Sequence, residues 1–226
     1  MDAEFAALLS MTIAGGIPVV VTGAAGEERQ VVRDALVSLW PADAPVVRLS
    51  GPDEDFAWMP QAGELGWRST HSTTDGKPGA AMIAEFEPGV VWGEAAHLAI
   101  RALTAGYSLL ATATGSSLDD ALARLAAPPV LAIDDELTRL GVVLVLGDDG
   151  RLAIAHYLRP VARDPGGHVQ RLPPASLAAW NAKTTRFDHF AWGVVGELAG
   201  RTGRRPLAFE REQALRIAAI TAATGS

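Results

Sequence analysis

The sequence contains no cysteine and only two lysines among its 226 residues. Without cysteine, the chain can form no disulfide, no thiolate metal site, no iron–sulfur site and no cysteine nucleophile. Without more lysine, it carries its positive charge almost entirely on arginine, which stays protonated and is a poor base. The fold must therefore depend on burial of apolar side chains, and hydrophobic residues make up 49% of the chain.

Basic residues are also fewer than acidic ones: the chain has 19 lysines and arginines and 26 aspartates and glutamates, so its formal net charge is −7. This balance argues against a nucleic-acid-binding surface, which is normally basic. No apolar run reaches the length of about 18 residues that a membrane-spanning helix needs. Asp2 and Glu4 stand where a signal peptide would be basic, and the five histidines lack metal-ligand spacing. We therefore expect a cytoplasmic protein without membrane insertion, nucleic-acid partner or metal site.

The first half of the chain alternates strand and helix patterns. Residues 17–21 form a β-branched run typical of a buried strand, a glycine-rich turn follows at 22–26, and residues 27–40 have helical spacing. The spacing places Val31, Val32, Ala35, Leu36 and Leu39 on the apolar face of that helix. A second strand at 46–49 would complete a β-α-β unit.

The next segments favour an α/β fold. Residues 80–86 and 90–92 read either as two strands or as a helix leading into a strand. A buried strand is expected at 107–113 and a helix at 117–126. The apolar runs 141–146 and 152–158 flank a Gly-Asp-Asp-Gly turn, which predicts an antiparallel hairpin at the sheet edge.

The remaining segments are expected to be a loop and helices. Residues 56–79 predict an exposed loop, with room for a short hairpin. Residues 173–181, 187–200 and 209–223 predict helices. We therefore expect a core over residues 1–160, with a mostly parallel sheet, and a mainly helical extension over residues 161–226 packed on the same domain.

A glycine turn after the first strand occupies the place of a phosphate-binding loop. Such loops read G-x-x-x-x-G-K-[ST], because phosphates need close backbone approach, a lysine and a hydroxyl for magnesium. In that register Glu28, Arg29 and Gln30 take the three closing positions. Acids at this place repel phosphate, so the segment also reads as a tight turn with a charged first helical turn. The candidate nucleotide-binding residues are Gly23, Ala24, Ala25, Gly26, Glu27, Glu28, Arg29 and Gln30.

Two further segments carry side chains that could act on a ligand. Glu94 follows the apolar run 90–92, where a glutamate could polarise a water or simply begin a helix. Thr112 and Thr114 precede Gly-Ser-Ser, where hydroxyls could sense a ligand or cap the next helix.

In order and spacing, three segments resemble the carboxyl-terminal motor domain of the ATPases that power type II and type IV secretion and type IV or Tad pili. Residues 19–26 resemble the phosphate-loop strand, residues 90–94 the apolar strand ending in Gly-Glu, and residues 104–125 the histidine-box segment with its Arg-Leu ending. The resemblance spans residues 15–160. It implies a RecA-like P-loop NTPase core, with an antiparallel edge hairpin and a helical carboxyl-terminal part.

The chain departs from that family at its working residues. The family's lysine falls at Arg29, its following hydroxyl at Gln30, and its histidines at Tyr107 and Thr114, so the sensor-like positions are Tyr107, Thr112 and Thr114. The family's acidic box falls at Asp53 and Glu54. Glu94 alone matches a catalytic group, and we expect no counterpart of the family's amino-terminal domain.

Three functions follow from these observations. The first is a degenerate, non-hydrolysing domain that serves as structural or regulatory partner of a secretion or pilus motor, such as an active ATPase paralogue, and needs no cofactor. The second is a divergent ATPase that binds ATP with magnesium, in which Arg29 grips the terminal phosphate and Glu94 positions a water. The third is a small-ligand or protein-binding module whose contact surface is the loop 56–79. A homo-oligomer stays open in all three.

Overall fold

The computed structural model describes residues 2–23, 26–67, 80–163, 166 and 168–224. Its centre is an eight-stranded sheet in the order β10-β9-β6-β5-β1-β4-β3-β2. The strands are β1 (Val19–Gly23), β2 (Val46–Arg48), β3 (Ala81–Phe86), β4 (Ser108–Ala113), β5 (Val142–Leu146), β6 (Leu152–Tyr157), β9 (Ala175–Asn181) and β10 (Arg186–His189). A separate ribbon pairs β7 (Ala162–Arg163) with β8 (Val169–Gln170).

The sheet is mostly parallel, as expected, with four parallel and three antiparallel strand pairings. Strands β5, β1, β4, β3 and β2 run parallel to one another. Strands β10, β9 and β6 are each antiparallel to the next strand in the order. The hairpin expected from residues 141–158 is confirmed as β5 and β6. Its expected place at the sheet edge is wrong, because β9 and β10 pair beyond it.

Helices cover both faces of this sheet. Alternation along β1 sends Val19 and Val21 into one core and Val20 into the other. Residues from α1, α2, α6 and α7 contribute to the first core, and residues from α3, α4 and α5 to the second. The helices are α1 (Ala3–Ala14), α2 (Gly26–Val37), α3 (Glu94–Ala102), α4 (Leu118–Ala126), α5 (Asp134–Leu137), α6 (Val195–Arg201) and α7 (Pro206–Thr224).

Several sequence-based expectations fail in the second half of the fold. Residues 173–181 contain strand β9 rather than a helix, because the segment pairs on both sides, with β6 and β10. Residues 187–200 begin in β10 and become α-helical only at Val195. The helix expected at 209–223 is confirmed as α7. Because β9 and β10 extend the central sheet, the sheet runs on beyond residue 160.

The segment before α3 also differs from expectation. Residues 81–86 form β3, whereas residues 90–92 lie in turns. Residues 56–67 are turns without a strand, and residues 68–79 lie outside the described part of the chain. Within the described ranges, no helix combines the length and hydropathy needed to cross a membrane.

Candidate functional site

The turn between β1 and α2 lies where ligands bind in many α/β proteins. In the chain, β1 is followed by β2, which lies on one side of β1 in the strand order. Strand β4 is followed by β5, which lies on the other side of β1. The carboxyl end of β1 is thus the point at which the strand order reverses, and open α/β sheets bind ligands at such a point.

Gly23 closes β1 in a conformation that excludes a side chain. Its φ is +142°, and a Cβ there would lie 2.7 Å from the Leu146 carbonyl oxygen. The Gly23 N–H donates to the Gly115 carbonyl oxygen at 2.8 Å. Helix α2 begins at Gly26, and Ala24 and Ala25 between them lie outside the described residues. Only two residues therefore separate the strand from the helix.

Arg29 fills the space behind this turn. Arg29 is only 4% exposed, although it lies in the first turn of α2. The guanidinium donates to the carbonyl oxygen of Gly23 and forms an ion pair with Glu87, just beyond the end of β3. Its Nε atom has no hydrogen-bond partner. The residue at the lysine position of a phosphate loop is thus already bound to a carboxylate of its own chain.

A second ion pair lies beside the first. Arg33, one helical turn further along α2, is 3% exposed and donates to Glu85 at 2.7 Å and to Asp34 at 3.0 Å. Gln30 Nε2 donates to the other Glu85 oxygen at 3.0 Å. Two arginines of α2 are therefore fixed to two glutamates at the end of β3.

These contacts determine which side of α2 faces the sheet. The sequence pattern predicts that Val31 and Ala35 pack in the core, but both are exposed, and Val31 is 69% exposed. Leu36 is buried as expected. The physical reason is that the carboxylates of Glu85 and Glu87 pair with Arg29 and Arg33, which turns part of the apolar side of α2 away from the sheet.

This arrangement leaves little that could hold a phosphate. Gly26, Glu27 and Glu28 are helical and exposed, and the two carboxylates lie in the first helical turn. An incoming phosphate would compete with Glu87 for Arg29 and would meet two like charges at the helix N-terminus. The Gln30 side chain is held by Glu85.

Glu94 is not delivered by a strand. It is the first residue of α3, exposed, and preceded by Gly93 with φ +62°. The carboxylates at the end of β3 are instead Glu85 and Glu87, which the sequence analysis missed. Their spacing around buried Phe86, together with arginines four residues apart on α2, is the signal that could have identified them.

The two acidic-box candidates have different surroundings. Asp53 is exposed at the end of a short 3-10 turn. Glu54 is buried and accepts hydrogen bonds from Ser50 N at 2.7 Å, Phe56 N at 2.9 Å and Trp58 Nε1 at 3.1 Å. The Glu54 carboxylate thus organises the loop that follows β2.

We expect Glu54→Ala to lower the free energy of unfolding by about 2 kcal/mol, because hydrogen bonds to a charged group contribute about 1.5–3 kcal/mol. Urea unfolding followed by tryptophan fluorescence measures this loss. Asp53→Ala, at an exposed neighbour, is the matched control and should change stability by less than about 0.5 kcal/mol. Equal losses in both variants would contradict a specific role for Glu54.

The sensor-like positions lie on and around β4. The hydroxyl of buried Tyr107 donates to Gln61 Oε1 at 2.8 Å, and burial raises the pKa of Tyr107. Thr112 is buried in β4 opposite Val21, and Thr114 is half-buried. The Arg29 guanidinium instead contacts the Gly23 carbonyl oxygen and Glu87.

The tryptophans of the loop 56–67 pack against other aromatic rings. Phe56 and Trp67 lie 4.9 Å apart, edge to face, and Trp58 and Tyr107 lie 5.7 Å apart in the same geometry. This half of the proposed contact loop therefore contributes to the core, and residues 68–79 lie outside the described part. Within the described residues, no group of three or more His, Asp or Glu side chains could hold a metal ion.

Comparisons with known proteins show only distant similarity to solved structures. No protein-family model matches the sequence, and no curated protein matches it. Among solved structures, the chain is similar to the VirB11 ATPase of the Brucella suis type IV secretion system in complex with sulphate, at 16% identity and a TM-score of 0.46. The similarity covers 75% of this chain and 54% of the VirB11 chain, so it spans about half of that structure.

Proposed function

We propose that this chain is a non-hydrolysing, secretion-ATPase-like domain that works through its surfaces, as a structural or regulatory partner of a secretion or pilus motor. The observation that carries the proposal is the pairing of Arg29 with Glu87 behind the β1–α2 turn. The crevice at the carboxyl end of β1 is the ligand site that an open α/β sheet offers. The two buried cations of α2 beside this crevice, Arg29 and Arg33, are already paired with Glu87 and Glu85.

Hydrolysis would need three things that this site supplies poorly. The terminal phosphates need a free cation, but Arg29 would have to leave Glu87. Magnesium needs a hydroxyl near the phosphates, but the position holds Gln30. The attacking water needs a positioned base, but Glu94 begins a helix and does not follow an inner strand.

Titration calorimetry with ATP and with ADP, each with magnesium, tests the proposal. We expect no heat of binding up to millimolar nucleotide, because Arg29 is paired with Glu87. The melting temperature should not rise either, since a ligand that bound the native state would stabilise it. Phosphate release should stay far below about 1 per second, the lower end of ordinary enzyme turnover.

The opposite result would support a divergent ATPase. In that case the chain binds ATP in the micromolar range, and Glu94→Gln abolishes phosphate release while leaving binding intact. Glu64→Gln, at an exposed loop position, is the matched control that should leave both unchanged. Micromolar binding with turnover would overturn the non-hydrolysing function.

The partner role has its own measurement. Purified chain is titrated into an active secretion ATPase, and the ATPase rate of that enzyme is followed together with co-elution in gel filtration. We expect a stable complex or a changed rate. A lack of both effects with the motor of the same organism would contradict the partner role without bearing on the absence of hydrolysis.

A further inference from the structure

An apolar groove lies beside α2, on the face of the sheet that this helix covers. Its cavity has a volume of about 590 Å³, between α2 and the strands β5, β6, β9 and β10. It is lined mainly by apolar side chains, including Val31, Val32, Leu146, Leu152, Trp180 and Phe187. Val31 and Trp180, from its two sides, are 69% and 42% exposed. Exposed apolar side chains around an open groove are typical of a docking surface.

The rim of the groove is acidic. The turn Gly147–Gly150 contributes Asp148 and Asp149, and Glu28 of α2 lies against Gly150. Glu27 adds a fourth exposed carboxylate in the same helical turn. Arg151 is the one cation in the groove lining, and it lies 4.0 Å from Asp149. An occupant that complements this site has apolar side chains for the groove and a positive charge for the rim.

Helix α7 presents such a surface on the same chain. Among its 19 residues only Phe209 is buried. The opposite side carries Leu207, Arg211, Leu215, Ala218 and Ala222 at helical spacing, and all of them are exposed. Leu207 and Leu215 are 59% and 73% exposed, and Arg211 between them is the only charge in this set.

We infer that two copies of this chain associate by docking α7 of one copy into the groove of the other. Leu207 and Leu215 then enter the apolar groove, two helical turns apart, as in other helix-in-groove contacts. Arg211, between the two leucines, faces the acidic rim formed by Glu28 and Asp149. The contact is heterologous, because the groove and the helix are different surfaces. It adds self-association to the proposed function and does not depend on nucleotide.

Sedimentation velocity over a concentration series measures this association directly. We expect the wild-type chain to associate reversibly and Val31→Glu and Leu215→Glu each to weaken association at least tenfold. Both substitutions lie at exposed helical positions, so the circular dichroism spectrum and unfolding midpoint should stay near those of the wild type. Ile133→Glu, at an exposed apolar position on the other side of the sheet, is the control and should associate like the wild type.

Mixing the two variants separates this contact from others. Val31→Glu retains an intact α7 and Leu215→Glu retains an intact groove, so an equimolar mixture should form a one-to-one complex that neither variant forms alone. A reversal of charge gives a second test, because Arg211→Glu should weaken association and Asp149→Arg in its partner should restore it.

Three outcomes overturn the inference. The wild-type chain stays monomeric at every concentration, or the mixture fails to recover a complex. In the third, Val31→Glu associates normally while Leu215→Glu does not, which indicates contact between two α7 helices instead of docking in the groove. None of these outcomes bears on nucleotide hydrolysis, so failure here is distinguishable from failure of the proposed function.

Discussion

Replacing Arg29 with alanine is expected to lower the free energy of unfolding by about 3 kcal/mol, the lower end of the cost of breaking a buried ion pair. The substitution leaves the Gly23 carbonyl oxygen and the Glu87 carboxylate without the guanidinium. Part of the Glu87 side chain reaches solvent, which is why the lower end applies. Urea unfolding measures the loss.

Controls for the Arg29 variant come from the same region. Arg48→Ala removes an exposed arginine that lies 3.6 Å from Asp34, and surface pairs of this kind contribute about 0–1 kcal/mol. A double-mutant cycle with Glu87→Ala isolates the pair, because the double variant should lose less than the sum of the single losses.

The same variant distinguishes the two functions proposed for Arg29. If the guanidinium is structural, Arg29→Ala loses stability and the wild type shows no nucleotide binding to lose. If the guanidinium grips phosphate, Arg29→Ala is as stable as Arg48→Ala but loses nucleotide binding. The second pattern would contradict the role that the structure gives to the Arg29–Glu87 pair.

Phe209→Ala is expected to cost about 3–4 kcal/mol, as truncation of a fully buried phenylalanine usually does. Phe209 is 0% exposed and is the only fully buried residue of α7, so its ring is the side chain that anchors this helix in the core. Polar contacts add to this anchor, including a hydrogen bond from Arg216 Nη1 to Ser10 Oγ at 2.8 Å. The cost should therefore appear mainly as release of α7.

Hydrogen exchange of residues 206–224 tests that expectation. We expect amide protection to fall in α7 while the central sheet keeps its protection, since weakly anchored elements open locally. Glu210→Ala, at an exposed position of the same helix outside the proposed groove contact, is the matched control and should leave protection unchanged. Loss of protection across the whole sheet would show that α7 unfolds only together with the rest.

Much of the fold follows from local pattern. The β-branched run 17–21 has no polar residue, which is typical of a strand buried on both faces, and it becomes β1. The Gly-Asp-Asp-Gly turn and its flanking runs become β5 and β6. Residues 175–181 contain three alanines and one leucine, residues that favour helices, yet the segment pairs on both sides as β9. Tertiary pairing overrides local propensity there.

The candidate site was less predictable for a related reason. The pattern of α2 indicates an apolar face and a charged face, and nothing within the helix says that the arginines turn inward. That outcome depends on Glu85 and Glu87, more than fifty residues away in sequence, at the end of β3. Long-range ion pairs of this kind cannot be derived from periodicity, which is why Arg29 was interpreted as a ligand residue.

The position of β1 within the sheet has a consequence for how the chain folds. Val19 pairs with Leu110 on one side and with Val142 on the other, so both partners of β1 arrive late in synthesis. Pairings between distant segments slow folding and leave apolar strands uncovered in the meantime. The hairpin of β5 and β6 and that of β9 and β10 need no such wait. During translation, β1 is therefore the segment that most needs protection from aggregation.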